Sequence, residues 1–406
     1  MLTQRQNRND MMLNFFSKIK SLHKKYWNKI LVEILFPTYS IEELFPDIEK
    51  LSSIEPESVA TPEVKQMNLV NFAKYLQIDN YTIPDIYTYN LRQVIYYPKY
   101  ELILTESRKI LKEASYGFNV LKAEQISDVI KLLYFNFSNP HQLYPGKKLE
   151  KFSGVCSLVS EYFKNNHYHN LIDVAPKLYL LNQPEYQGID EIKLLFSSEP
   201  TPIEKFLIEK LAPKNIKINV VEDPDSLYFV ERLIFPTLVS RVCCGYLPSV
   251  YLDYFRDKVL PKREGKKINR IFISRSKVSN RRKIINEDEL FADLKKYGFS
   301  KYILDDMSIE TQIDLFYDAD YVVGVHGAGL TNIIFSHKIK VLELFPTKYL
   351  LPHYYYLAKS LGHTYGYYSG AEADNTFTPN ADFRVNVSKV VERLLELESK
   401  HQQMSC

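Results

Sequence analysis

Between Arg270 and Phe345 the chain alternates short apolar runs with segments of helical spacing: RIFIS, NEDELFADLKKYG, KYIL, SIETQIDLFYDA, YVVGV, GAGLTNIIF and KVLELF follow one another. The apolar runs read as strands and the periodic segments as helices, the first of them ended by Gly298. Few folds accept this order. It predicts a parallel sheet with helical crossovers, in which all the carboxyl ends of the strands lie on one edge. An earlier series points the same way, with strands at VIYY near Val94, FSGVCSLV from Phe152, IKLLF from Ile192 and IKINVV from Ile216. Helical patterns follow His169 and span Pro202 to Leu211. The charged segment Arg256 to Arg270 separates the two series and reads as a linker.

The expected architecture is therefore α/β, two Rossmann-like domains facing an interdomain cleft. The expected boundaries are 1–60 for an N-terminal segment and connector, 61–260 and 261–370 for the two domains, and 371–406 for a C-terminal helix able to return to the first domain. A length of 406 residues, 45% apolar and 25% charged, suffices for both.

Composition removes several function classes. The net charge of +3 is too small for a nucleic-acid binder, and no basic run is interleaved with aromatics. The four cysteines, Cys156, Cys243, Cys244 and Cys406, form neither a CxxC pair nor a zinc spacing, so reduced thiols and no structural metal are expected. No apolar run approaches the roughly 20 residues of a membrane span, and the first 30 residues are too basic for a secretory signal, which points to the cytosol. Residues 11–36 form a basic amphipathic helix pattern: Met12, Phe15, Phe16, Ile19, Leu22, Tyr26, Ile30 and Ile34 share a stripe, with Lys18, Lys20, Lys24, Lys25 and Lys29 largely between them. Such a helix suits an anionic membrane surface, and it equally suits packing on the domain with its lysines in water. The 31 tyrosines and 23 phenylalanines read as an aromatic core and do not identify a ligand.

Three of the 13 glycines, Gly324, Gly327 and Gly329, fall within six residues around His326, directly after an apolar strand. Their G-x-x-G-x-G order is neither the dinucleotide fingerprint nor the P-loop. A strand that ends in glycines and continues as a helix brings backbone N–H groups to an anion; glycines also let a helix pack closely on a sheet. The strand ending at Ser274 delivers Arg275, Arg281 and Arg282 to the same edge before Asn286 starts a helix. An arginine fork beside the amides of Gly327, Ala328, Gly329, Leu330 and Thr331 suits a diphosphate, although arginines in a polar loop can simply be solvated. Glu343, near the carboxyl end of the next strand, could accept both hydroxyls of a ribose or sit in a salt bridge. Further upstream, His169 and Asp173 stand four residues apart on one helix face near the helix start, where the histidine could also be a structural brace.

The block ISRSKVSNRRKIINEDEL, then Gln312 in SIETQIDLFYDADYVVGVHGAGLTN, then VLELFP, resembles the carboxyl-terminal half of glycosyltransferase family 61, over about residues 150–365. NNHYHNLIDVAPKLYLL from Asn165 is similar to that family's N-x-Y-H-x-x-x-D segment. The resemblance implies a GT-B fold and inverting transfer from a nucleotide sugar, usually with UDP as leaving group, to a glycan or lipid-linked acceptor. It includes bacterial surface and capsular polysaccharide enzymes. It also implies an acceptor side in the first domain, with Asp173 as base and His169 orienting it or binding the acceptor. The donor side would lie in the second domain, with His326 beside the diphosphate and the loop through Asn332. Aspartates spelled DxD occur at Asp223 and Asp225 and at Asp318 and Asp320, but arginines and helix-end amides can supply the charge, so neither an obligatory metal nor a cofactor is expected. A silent scaffold of a polysaccharide-assembly complex would tolerate loss of Asp173 or Arg275, and both are present. A nucleotide-sugar epimerase or dehydrogenase would need a nicotinamide fingerprint, which is missing.

Overall fold

The computed structural model describes residues 38–44, 50–54, 58–60, 80–82, 86–107, 109–114, 149–159, 165–240, 245–263, 268–278, 282–346, 350–372 and 381–405. The basic segment 11–36 and Arg281 lie outside them.

The described residues form a mixed α/β structure with two large sheets. In the first, β1 (Glu150–Ser157), β2 (Ile192–Phe196), β3 (Ile216–Val220) and β4 (Tyr228–Pro236) run parallel in the order β3-β2-β1-β4. Beyond β4 the long strand Ile86–Tyr97 pairs antiparallel, and further antiparallel strands follow it. Only half of this sheet therefore has the Rossmann-like form that the sequence suggests. The short connections among the earlier strands permit hairpin pairing, whereas parallel neighbours need a crossover.

The second sheet meets the expectation. The strands β5 (Asn269–Ile273), β6 (Phe299–Tyr302), β7 (Ala319–Val325), β8 (Lys340–Pro346) and β9 (Thr364–Glu372) run parallel in the order β6-β5-β7-β8-β9, with Phe383–Arg384 antiparallel at the edge. Ile273 lies opposite Gly324, and Gly324 opposite Glu343, so Ser274, Val325 and Leu344 stand at one level; β7 ends at Val325, and β8 runs on to Pro346 beside β9. Two of the helices start where side chains satisfy their first N–H groups. Thr201 and Glu204 make a reciprocal capping box for Pro202–Leu211, and Ser308 accepts from Thr311 N for Ile309–Tyr317. Gly298 takes a left-handed φ of +82° after the helix Glu287–Lys296.

Side-chain alternation along the strands divides the core. Ile271, Ile273, Val322 and Val341 point to one face and share a single apolar cluster with Ile192, Leu194 and Phe196 of the first sheet. This cluster joins the two halves. The opposite face, Phe272, Tyr321, Val323, Leu342 and Leu344, is covered by Val387, Val390, Leu394 and Leu397. The C-terminal helix Val387–Ser405 thus packs on the second sheet and does not return to the first.

Two further expectations change. The first part of the supposed linker is the end of a helix, Ser249–Val259, whose Tyr251, Leu252, Phe255 and Val259 are buried while Asp253, Asp257 and Lys258 face outward. GAGLTNIIF is helical but tight, a 3₁₀ segment at Ala328–Phe335.

Candidate active site

In a parallel sheet, ligands gather at the carboxyl edge where the strand order reverses. The second sheet reverses between β5 and β7, and there β5 delivers Arg275 while β7 delivers His326. The first sheet reverses between β1 and β4, and the segment carrying His169 and Asp173 follows β1. Both groups of residues singled out in the sequence thus occupy reversal points.

Arg275 lies against the glycine loop. A Cβ built on Gly327 would stand 2.2 Å from Arg275 Nη1, so a side chain there would force the guanidinium to move. Gly329 has another purpose: its Cβ would meet Leu304 at 3.1 Å, which is close packing of the 3₁₀ segment on the domain. Close approach of an arginine and close packing on the domain thus divide between Gly327 and Gly329. Burial and the neighbouring Arg282 bring the Arg275 pKa down to about 10, which still leaves it charged at neutral pH. Arg282 itself holds a left-handed φ of 67°, a conformation that side-chain-bearing residues adopt at a cost of roughly 1–3 kcal/mol and that clusters at functional sites. Its charge opposes protonation of His326 and His353, which places it in the same space.

Two side-chain systems hold the loop. Tyr354 Oη donates to the Gly327 carbonyl at 2.6 Å. Gln312 Nε2 donates to the carbonyls of Leu304 and Met307 at 3.1 and 3.2 Å, which leaves its oxygen to accept from Asn332 Nδ2 at 2.8 Å. Asn332 Oδ1 must then accept, so His167 Nε2 donates to it at 2.8 Å. Burial keeps the His167 ring below its usual pKa and hence neutral. This amide relay bridges the two halves. Asn332, buried completely, is a strut of the loop; Gly327, Leu330 and Thr331 are buried too, and the half-buried Ala328 and Gly329 are left to present amides.

His326 Nδ1 meets Glu343 Oε1 at 2.6 Å, and Tyr365 Oη donates to Glu343 Oε2 at 2.6 Å. Both oxygens of Glu343 are therefore occupied, and the residue is wholly buried. The ribose role expected for it does not survive. Burial pushes the Glu343 carboxyl up and the His326 imidazole down, with Arg282 and Arg275 adding to the latter. One proton in the bridge is consistent with both directions. With the proton on the carboxyl, as both directions favour, Nδ1 accepts the hydrogen bond and the neutral imidazole carries its hydrogen on Nε2, where it presents a donor. Phe345 stacks on the ring at 5.1 Å and fixes its plane.

Asn286 is also reassigned. Its amide donates to the Val385 carbonyl at 3.0 Å and accepts from Val385 N at 3.1 Å, so it ties the chain before the C-terminal helix and faces no ligand. Arg281 lies outside the described residues. The DxD aspartates are engaged as well: Asp318 binds Arg263 at 2.9 Å, Asp320 binds Lys340 at 3.0 Å, and Asp225 binds Lys99 at 2.6 Å. Asp223 accepts from Ser226 Oγ at 2.6 Å.

On the other side, Asn166 caps the turn His167–His169, which continues through a π-helical turn, Asn170–Val174, into Ala175–Leu181. Asp173 lies on the π turn, a distortion frequent at functional sites. His169 Nδ1 meets Asp173 Oδ2 at 2.6 Å, and both side chains are mostly but not fully buried. Tyr168 carries the contact across: its ring meets His169 at 5.4 Å, His353 at 5.2 Å and Tyr354 at 6.0 Å. The sequence reading missed His167, His353 and Tyr354. The only signal for the last two was their place just beyond the carboxyl end of β8.

The arrangement offers charge for a phosphate group on one side and a carboxylate–imidazole pair on the other. Among curated proteins none matches the chain. Residues 167–342 match the model of the family described as Glycosyltransferase 61, a stretch that runs from His167 of the relay to the middle of β8. Strand-end arginine, HGAG loop and the helix with His169 and Asp173 all fall within that stretch, and the chain carries a glycosyltransferase family 61 region.

Proposed function

We propose that the protein is an inverting glycosyltransferase of GT-B type that moves a sugar from a nucleotide diphosphate donor, UDP-linked by preference, to a glycan or lipid-linked acceptor in surface or capsular polysaccharide synthesis. The observation that carries this reading is the joint placement of Arg275, Arg282 and His326 around the amides of Gly327–Gly329, with His169 and Asp173 on the facing half. The diphosphate is held by the two guanidinium groups and the helix-end amides. As the bond to the anomeric carbon breaks, negative charge grows on the departing phosphate oxygen, and His326 Nε2–H donates to it. Asp173, oriented by His169, takes the proton of the acceptor hydroxyl as that oxygen attacks from the opposite side. The arginines already supply the positive charge that a bridging cation would bring, which supports a reaction with no obligatory metal.

Calorimetry with UDP tests the donor side. A charge-assisted hydrogen bond contributes about 1.5–3 kcal/mol, so Arg275→Ala is expected to weaken UDP roughly 10- to 100-fold. Gly327→Ala leaves the arginine in place but drives a methyl group into it, and a loss of similar size is expected with the fold retained. Unchanged UDP affinity in both variants would remove this edge from the donor site.

A further inference from the structure

His353 opens the helix His353–Leu361, just past the carboxyl end of β8 and outside the stretch matched to the family. Its ring lies 5.6 Å from that of His326 on one side and 5.2 Å from that of Tyr168 on the other. Nδ1 is sealed from solvent and has no hydrogen-bond partner among the described residues. Burial, then the neighbouring His326, His169 and Arg282, keep the ring neutral. A buried nitrogen left without a partner is costly, and such costs persist where function requires the group.

The chemistry of the ring restricts what would complete it. An anion is already answered by Arg275 and Arg282, and a neutral imidazole adds little to them. It suits a hydroxyl, to which it can donate from one nitrogen or accept at the other. Position identifies the hydroxyl. In a displacement with inversion, the base and the departing phosphate stand on opposite sides of the anomeric carbon, so the group between the His169–Asp173 pair and His326 is the sugar. Building on the function proposed above, we infer that His353 is the residue that reads the transferred sugar, its imidazole hydrogen-bonding a hydroxyl of that ring.

The test is calorimetry of UDP, UDP-glucose, UDP-galactose and UDP-N-acetylglucosamine against the wild type, His353→Ala and His353→Asn. UDP alone is expected to bind all three proteins within about twofold, which also shows that the variants fold. For at least one sugar nucleotide, the ratio of its Kd to that of UDP is expected to rise about tenfold in His353→Ala, the scale of one lost hydrogen bond. His353→Asn, which keeps a polar group but moves it, is expected to change the order of preference between the glucose and galactose epimers. A ratio that moves less than twofold for every sugar overturns the assignment, and so does a loss of UDP binding as large as that of the sugar nucleotides. If Arg275→Ala weakens UDP while the His353 ratios stay fixed, only the sugar contact fails. If UDP ignores Arg275→Ala, the underlying function fails first.

Discussion

Asp173→Asn is expected to lower turnover by roughly 10²-fold or more while leaving UDP affinity nearly unchanged. The substitution keeps size and most hydrogen bonds, but the amide cannot take a proton, and a factor of about 10²–10⁴ is the usual contribution of a positioned base. Affinity for the nucleotide hardly moves because Asp173 belongs to the π turn of the first half, whereas the diphosphate is assigned to residues of the second. The 2.6 Å contact with His169 sets a companion result. If His169 orients the carboxylate, His169→Gln costs less than Asp173→Asn, on the order of tenfold. The reverse order in steady-state kinetics would pass the role of base to the imidazole. A wild-type rate for Asp173→Asn with a competent acceptor would remove both from the chemistry.

His326→Ala is expected to lower kcat by about 10²–10³-fold, as for loss of one donor to a developing oxyanion, and to weaken UDP as well. The Glu343 partnership gives this prediction a pH signature. Because burial raises the carboxyl and lowers the imidazole, the pair holds its bridging proton to higher pH than a free carboxyl would and yields it as pH rises. Once that proton is gone, the remaining imidazole hydrogen turns to the carboxylate and Nε2 loses its donor. UDP affinity is therefore fully present at low pH and declines as pH climbs through the raised pKa of the pair. Glu343→Gln offers Nδ1 an N–H that does not titrate, so binding should persist and the decline should flatten. Affinity measured from pH 6 to 10 in wild type and Glu343→Gln checks this; parallel profiles would contradict the shared proton.

The sequence carried the second sheet almost whole, because strands buried between helices leave short apolar runs whose order imposes parallel pairing. It also carried the meeting of Arg275 with the glycine loop, since strand ends of one sheet share an edge. The misread residues share a physical cause. A carboxylate at a strand end looks the same whether it faces a ribose or is captured, and the captors of Glu343 lie on two other segments, His326 and Tyr365. Asn286 has the form of a helix cap, yet its partner is Val385, 99 residues onward. The helix Ser249–Val259 was lost in the linker because its buried stripe lies mostly ahead of the charged run, while Asp257 and Lys258 colour the part that was read. His353 was hidden in an aromatic stretch whose spacing suits any packed helix. Only the fold shows that its first residue meets His326.

The most direct test of the central claim is a crystal structure of the protein with UDP. The account predicts the diphosphate at the carboxyl ends of β5 and β7, with its oxygens within hydrogen-bond distance of Arg275, of His326 Nε2 and of the amides after Gly327, and with the His169–Asp173 pair across the site. A nucleotide bound elsewhere, or one with its phosphates turned away from Arg275 and His326, would contradict it.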